Sequence, residues 1–305
     1  MNVSIAVIIP VYNSEIYLDY VFDSLNKQTE YPDEIIFVND GSTDKSEEMI
    51  LEFIEKAKSG KNILINQPNG GTASACNKGV EKAVSDYIII LGSDDILLPE
   101  RIKIDKKILS LDNVDLLFRP SFTFEEFPDK LNFLKKNHNL NKKYYLKDGV
   151  EMTIKRRIHI PTNCATLKRA KWNEIGGYNE KIRFSEDFDF WLRFFATKPK
   201  IKYEEMPLSA FRFARNYQSK SKNVELKFQS RLQILSDFFG NEANAEYKHL
   251  FNFVFAQLHE AMANDSWAIS NYNNFRMYYL KGISKGWKNY SIKTHFRFIR
   301  SFFKR

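Results

Sequence analysis

The first two hundred residues predict an α/β fold with a mostly parallel sheet, and the last ninety predict helices. Three observations carry this. Apolar runs alternate with amphipathic stretches through the first hundred residues, turn-forming polar residues follow each run, and helical periodicity takes over after Arg215. In order, the runs Ile5–Val11, Glu34–Asn39, 62–66 and 87–91 read as strands; their near-continuous hydrophobicity suits strands buried on both faces. Between them, 17–25 places Leu18, Val21, Phe22 and Leu25 on one helical face, 47–57 does the same with Ile50, Leu51 and Ile54, and 72–84 forms a third helix. Ser42-Thr43-Asp44 stands as a capping group at the head of the second helix. A βαβαβα order puts helices on both faces of the sheet and a ligand crevice at the carboxyl ends of its strands.

From 125 to 148 the pattern dissolves into Lys and Asn with scattered aromatics, as in an insertion or a loop over one side of the crevice. Order returns at Pro161, with a strand over 163–167, a helix over 170–175, a turn at Gly176-Gly177 and a helix over 187–196. Helical stretches 224–239, 247–262 and 273–280 follow. The expected division is therefore 1–215 for the α/β domain and 216–305 for a helical region, with the boundary within 216–223. No internal repeat or low-complexity segment is present.

Charge is unevenly distributed. The net +8 equals the eight Lys and Arg residues between Lys281 and Arg305, a stretch without Asp or Glu, so the rest of the chain is balanced and no nucleic-acid partner is expected for it. Within that stretch Ile292, Phe296, Ile299 and Phe303 recur at helical spacing, while Lys293, Arg297, Arg300 and Lys304 lie off that line. A basic amphipathic helix over 291–305 has two readings: docking on an anionic membrane surface, or packing on its own domain with a solvated basic face. Cys76 and Cys164 lie far apart without metal-ligand spacing, which fits a reducing compartment and a cytoplasmic protein, peripheral at the inner face of the membrane if the tail docks. The apolar N-terminal run lacks a preceding basic region and does not read as a signal peptide, and no window reaches the length needed to span a bilayer. His138 and His159 each stand alone, without a second ligand at metal spacing, and Trp172 and Trp191 read as helix-core aromatics, Trp191 with a possible place on the acceptor side.

The polar residues converge. Pro10-Val11-Tyr12-Asn13 follows the first strand, Asn39-Asp40-Gly41-Ser42 the second, Asn69-Gly70-Gly71 the third and Ser93-Asp94-Asp95 the fourth. Turn chemistry accounts for any one of these. The adjacent acids ask for more, because a carboxylate withdrawn from water needs a partner. Hard divalent cations such as Mg²⁺ take one or two carboxylates and complete their shell with water and phosphate oxygens, which points to a nucleoside diphosphate. A solvated turn or a helix start accounts for the same pair without a ligand.

Taken together, Val7 through Glu15, Val38-Asn39-Asp40-Gly41-Ser42-Thr43-Asp44, Asn69-Gly70-Gly71 through Asn77-Lys78-Gly79, Leu91-Gly92-Ser93-Asp94-Asp95, and Gly176-Gly177-Tyr178 with Glu186-Asp187 resemble the family 2 glycosyltransferases of GT-A fold, over residues 3–215. The resemblance implies an inverting, hexosyltransferase-like enzyme that uses a nucleotide-sugar donor, in surface glycan or polysaccharide biosynthesis. It implies that Pro10, Val11, Tyr12, Asn13, Asp40, Gly70, Gly71, Asn77 and Asp94 bind the nucleotide. Tyr12 would lie against the base and Asp40 would accept a base N–H, which suits uracil as well as thymine or guanine. Asp95 with Asp94 would hold Mn²⁺ or Mg²⁺ at the diphosphate, Asp187 would be the base that deprotonates the acceptor hydroxyl, and Glu186 would hold the acceptor or the loop. The acceptor implied is a glycan or a lipid-linked saccharide.

The chain departs from the family pattern in three places. Gly92 stands where many relatives have an acid, Cys76 where relatives often have Arg, with Lys78 as a displaced substitute, and Ala214 where many have His. Arg212, Arg215, Lys220 and Lys222 form a basic segment that closes over phosphates or is a solvated linker. Two other readings remain open: a nucleotide-sugar-binding protein of the same fold without turnover, and a nucleic-acid-binding protein acting through the basic tail. A dinucleotide oxidoreductase does not fit, since no GxGxxG follows the first strand.

Overall fold

The computed structural model describes residues 3–57, 60–124, 135–136, 149–155, 160–182, 184–212, 224–268, 270–286, 288 and 290–302. In chain order the first elements are β1 (Ile5–Val11), α1 (Glu15–Asn26), β2 (Glu34–Asn39), α2 (Ser46–Lys56), β3 (Lys61–Asn66), α3 (Thr72–Lys82), β4 (Tyr87–Ile90), β5 (Ile96–Leu97) and α4 (Arg101–Leu111). Then come β6 (Leu116–Phe118), β7 (Phe122–Phe124), β8 (Lys135–Lys136), α5 (Gly149–Ile154), β9 (Ala165–Lys168), α6 (Arg169–Glu174), α7 (Glu186–Ala196), β10 (Ile201–Tyr203) and β11 (Ser209–Arg212). The helical region contains α8 (Val224–Gly240), α9 (Phe251–Ala268), α10 (Tyr272–Ile283) and α11 (Ile292–Ser301).

The main sheet has the order β10-β6-β9-β4-β1-β2-β3. β1 pairs in parallel with β2 and β4, β2 with β3, and β6 with β10, whereas β9 runs antiparallel to both β4 and β6. Alternation along β1 divides the core. Ile5, Val7, Ile9 and Val11 face α1, α2 and α4, while Ala6 and Ile8 face α3, α5 and α7. On that second side α3 approaches very closely: a Cβ on Gly79 would lie 2.3 Å from Ile8 Cγ2, so only glycine permits this helix-to-strand distance.

The same apolar layer continues into the helical region, where Phe228, Ile234, Leu250, Met262 and Phe275 belong to one cluster with Ile88 and Phe190. The boundary expected within 216–223 lies outside the described residues, as do most of the 125–148 segment and both His138 and His159. Two sequence expectations are corrected. The strand foreseen over 163–167 is a short 3-10 turn, Thr162–Cys164, followed by an antiparallel strand. The helix foreseen over 247–262 begins only at Phe251, because the preceding Glu242–Leu250 segment is 3-10, capped by the Asn241 side chain and interrupted at Asn244. At the head of α2 the side-chain acceptor is Asp44, whose Oδ1 takes the Ser46 N–H at 3.0 Å.

A second, small sheet of order β5-β11-β7-β8 was not foreseen. Its strands are two to four residues long, too short for a periodic signal. Beneath the crevice, Asp105 is fully buried and paired with both Arg101 (2.6 Å) and Arg119. Arg101 also donates to Asn163 O and Thr166 Oγ1, and Thr166 Oγ1 donates to Asp105. Removing one partner of such a network leaves buried charge uncompensated. Asp105→Ala should lower unfolding free energy by about 3–5 kcal/mol, read from urea denaturation.

Candidate active site

The loops after β1, β2, β3 and β4 are joined by hydrogen bonds into one crevice. Asn13, at φ +48°, donates its N–H to Ser42 Oγ (3.1 Å), and its Oδ1 accepts from Thr43 N (2.8 Å). Ser14 N donates to Ser46 Oγ (2.9 Å), and Ser14 Oγ lies 2.7 Å from Ser93 Oγ, which ties the first loop to the acid-pair loop. Pro10 and Val11 are the last residues of β1, in register with Val38 and Asn39. Tyr12, just beyond them, is 51% exposed and is not a core ring.

Asp40 is buried and acts as a clamp. Its Oδ1 accepts from Gln67 Nε2 (2.7 Å) and Gly70 N (2.8 Å), and its Oδ2 accepts from Gly71 N (2.8 Å). The Asp40 N–H donates to Val11 O. One carboxylate thus fixes the Gly70-Gly71 turn at the start of α3 against the ends of β1 and β2.

Asn77 is occupied elsewhere. Its amide N–H₂ donates to Tyr178 O and Glu180 Oε1, both at 2.9 Å, and its Oδ1 accepts from Tyr178 N. It fastens α3 to the Gly177-Tyr178 turn, so its amide is a tie between elements and not a group held out toward the nucleotide. Cys76 is buried in the α3 core, where burial first, then the charges of Glu186 and Asp40, push its thiol up. Lys78, two residues on, lies on another side of the helix and is exposed, so it does not take over the place of Cys76.

The acid pair is set by the small sheet. Antiparallel pairing of Ile96 with Ala210 and Leu97 with Ser209 brings the end of β11 past the residues before β5. Arg212 therefore meets both acids: its N–H donates to Asp95 Oδ1 (3.1 Å), and its guanidinium contacts Asp94 Oδ2 at 3.2 and 2.9 Å. The guanidinium also lies 4.2 Å from the Tyr17 ring centroid. Arg215, Lys220, Lys222 and Ala214 lie outside the described residues.

The Asp95 carboxylate accepts from the backbone N–H groups of Arg212 and Gly92, while Asp94 Oδ1 accepts no hydrogen bond among the described residues. Asp94 Oδ1 and Asp95 Oδ2 lie toward one place: a Cβ built on Gly92 would lie 2.9 Å from Asp95 Oδ2 and 3.3 Å from Asp94 Oδ1. Gly92 is the space that lets the carboxylates converge. A side chain there, such as the acid of many relatives, would collide with Asp95 unless that carboxylate moved. Burial, then the neighbouring Asp94, pushes the Asp95 carboxyl up from 3.8 to about 8. Two converging acid oxygens, one with its proton affinity raised by burial and by the neighbouring acid, fit a hard divalent cation that draws its other ligands from water or phosphate.

Glu186 and Asp187 open α7, after Ser185 in the left-handed region at φ +65°. Asp187 Oδ1 accepts the Phe188 N–H at 2.8 Å, and its Oδ2 accepts none among the described residues. The helix is anchored by Arg193, which pairs with Asp189 and donates to Ile175 O and Gly177 O, holding the Gly176-Gly177 turn to α7. This anchor was not foreseen. Trp172, Tyr178 and Phe190 pack together beside it. Trp191 is buried with its Nε1 donating to Ile160 O, so it belongs to the core and does not line the acceptor side.

The model of glycosyl transferase family 2 matches residues 6–172, more than half of the 305-residue chain. The chain belongs to glycosyl transferase family 2. This family 2 chain is 32% identical over 230 residues to an uncharacterized glycosyltransferase of Methanocaldococcus jannaschii, a match covering 73% of this chain and 76% of the relative. It is 30% identical over 194 residues to an uncharacterized glycosyltransferase of Rickettsia typhi, covering 62% and 58% of the two. A Rickettsia conorii relative, 32% identical over 216 residues and 68% of this chain, is covered over only 34% of its own length. Among solved structures, S. aureus TarS 1–349 in complex with UDP-GlcNAc superposes with TM-score 0.59 at 16% identity, over 90% of each chain. The mannosyltransferase PcManGT of Pyrobaculum calidifontis, in complex with GDP-Man and Mn²⁺, gives 0.58 at 15% identity over 98% of this chain and 79% of its own. The family 2 chain therefore has the GT-A fold with a helical C-terminal region.

A carboxyl whose folded pKa is raised binds its proton more tightly folded than unfolded, so its stabilising contribution is full below the unfolded value of 3.8 and is lost as pH rises toward about 8. In EDTA the thermal midpoint should fall over this interval, and Mn²⁺ should restore it most at the alkaline end. Asp95→Asn should flatten the dependence. A wild-type midpoint that is level across the interval and indifferent to Mn²⁺ contradicts this.

Proposed function

We propose that this chain is an inverting, divalent-metal-dependent, hexosyltransferase-like enzyme. It moves a sugar from a nucleoside-diphosphate donor, with a UDP-sugar as first candidate, to a hydroxyl of a growing glycan or lipid-linked saccharide in surface glycan or polysaccharide biosynthesis. The observation that supports this best is the convergence of Asp94 Oδ1 and Asp95 Oδ2 beside Gly92, at the carboxyl end of a parallel sheet in a family 2 chain. The UDP-GlcNAc of TarS and the GDP-Man and Mn²⁺ of PcManGT support a nucleotide-sugar donor and a metal by similarity of fold. We place the reaction on the cytoplasmic side. Both cysteines are free and buried, and among the described residues no helix is long and apolar enough to cross a membrane.

In this reading the exposed Tyr12 ring lies against the base, with Pro10, Val11 and Asn13 shaping the loop around the nucleoside. Asp40 holds Gly70 and Gly71 in place, and the remaining lone pair of its Oδ2 serves a base N–H. Asn77 contributes through the turn it fastens. Asp95, with Asp94, would hold Mn²⁺ or Mg²⁺. When bound, the ion supplies Lewis-acid stabilisation of the negative charge that grows on the departing diphosphate. Arg212 keeps Asp94 oriented.

Asp187 takes the proton of the acceptor hydroxyl. At the N-terminus of α7 the Phe188 N–H occupies Oδ1, leaving Oδ2 to receive the proton. Attack from the face opposite the leaving diphosphate inverts the anomeric centre. Glu186 steadies the acceptor or the loop.

A thermal-shift screen of nucleoside diphosphates and their sugars, with and without Mn²⁺, should show stabilisation that needs both nucleotide and metal and that vanishes in Asp95→Asn. Asp187→Asn should keep this stabilisation while donor turnover, followed as nucleoside diphosphate release, drops about 10²–10⁴-fold. A variant at position 187 with near-normal release would remove the assignment of the base.

A further inference from the structure

The last helix is packed with its apolar stripe facing out. On α11 the buried residues are Thr294 and Ser301, with Phe298 stacked on the Tyr279 ring at 4.0 Å between centroids. Polar bonds hold this face down: Thr294 Oγ1 donates to Glu260 Oε1, Arg297 donates to Asn264 Oδ1, and Arg276 donates to Ser301 O. On the opposite side Ile292, Phe296 and Ile299 are 59–74% exposed, while Phe302 sits at the edge against Phe298 and Arg276, and Phe303 and Lys304 lie outside the described residues. A surface helix normally buries its apolar stripe, so an outward stripe of three large side chains marks a surface that meets something else.

The charge beside the stripe indicates the partner. At 100° per residue, Lys293 and Arg300 lie immediately next to it, and both are exposed. No Asp or Glu follows Asp265, while Arg276, Lys281, Lys285, Lys288, Lys293, Arg297 and Arg300 all do. An apolar face bordered by cations, with no anion in the same stretch, complements the interface of an anionic bilayer. Isoleucine and phenylalanine enter the acyl boundary while lysine and arginine stay at the headgroups. We propose that the outward face of α11 docks this protein on an anionic lipid surface. The orientation of the stripe distinguishes this from the other reading of the basic tail, in which the apolar side would be the buried one. The inference does not depend on the donor chemistry proposed above.

The test uses the full chain and sedimentation with phosphatidylcholine vesicles, with and without phosphatidylglycerol. Wild type should sediment with the anionic vesicles, less so as salt rises, and little with phosphatidylcholine alone. Lys293→Gln with Arg300→Gln should lower partitioning about thirtyfold at low salt. Phe296→Ser with Ile299→Ser should abolish it at any salt. All four side chains are exposed, so the thermal midpoint and the response to nucleotide with Mn²⁺ should remain those of wild type in both variants. Failure of wild type to bind the vesicles overturns the proposal, as does equal binding by either pair. A wild-type dimer that the Phe296→Ser, Ile299→Ser pair dissolves would assign the stripe to a second copy instead. Salt-sensitive RNA binding that survives that pair, with no vesicle binding, would assign the charge to nucleic acid. Vesicle binding without any response to nucleotide and Mn²⁺ would leave docking standing and remove the donor reading.

Discussion

Two adjacent carboxylates at the end of a buried strand carry more negative charge than the protein around them neutralises. Arg212 contacts one through its guanidinium and bonds the other through its backbone N–H. Burial and the neighbouring Asp94 still leave the proton affinity of Asp95 raised. Much of the surrounding architecture can be understood as holding this imbalance in place. The small sheet brings Arg212 alongside, the missing side chain at Gly92 leaves room for both acids, and the Ser14–Ser93 bond fixes their loop to the end of β1. A cation arriving with its own phosphate ligands would meet an arrangement already paid for by the fold.

The elements legible in the sequence are those whose information is local. β1 to β4 announce themselves as apolar runs, and α1 to α3 as stripes at helical spacing, because each is long enough to show a period. The small sheet could not be read this way. Its strands have two to four residues, and its contribution to the site comes from pairing across 118 positions, from Asp94 to Arg212. The antiparallel course of β9 was hidden for the same reason, since direction is a property of the neighbour and not of the run.

Within the site, residue type was easier to read than residue employment. The chemistry of Asp40, Asp94, Asp95 and Asp187 follows from carboxylates at loop and helix starts. That Asn77 is spent on Tyr178 and Glu180, or that Trp191 is turned into the core, depends on which surfaces meet. Arg193 was invisible for a related reason: an arginine late in an amphipathic helix ordinarily faces water, and only the packed turn supplies the two carbonyls it holds. In the last helix the amphipathic pattern was plain, but periodicity defines a stripe and not the side to which it turns.

The interior that begins under β4 does not stop where the family match ends at residue 172. It runs on through Phe190 and Phe194 to Phe228, Phe275 and Tyr290 as one continuous apolar mass. The helices behind the crevice are thus part of its support: loosening the packing of the C-terminal third would be felt under α5 and α7, on the side of the sheet from which Asp187 is presented.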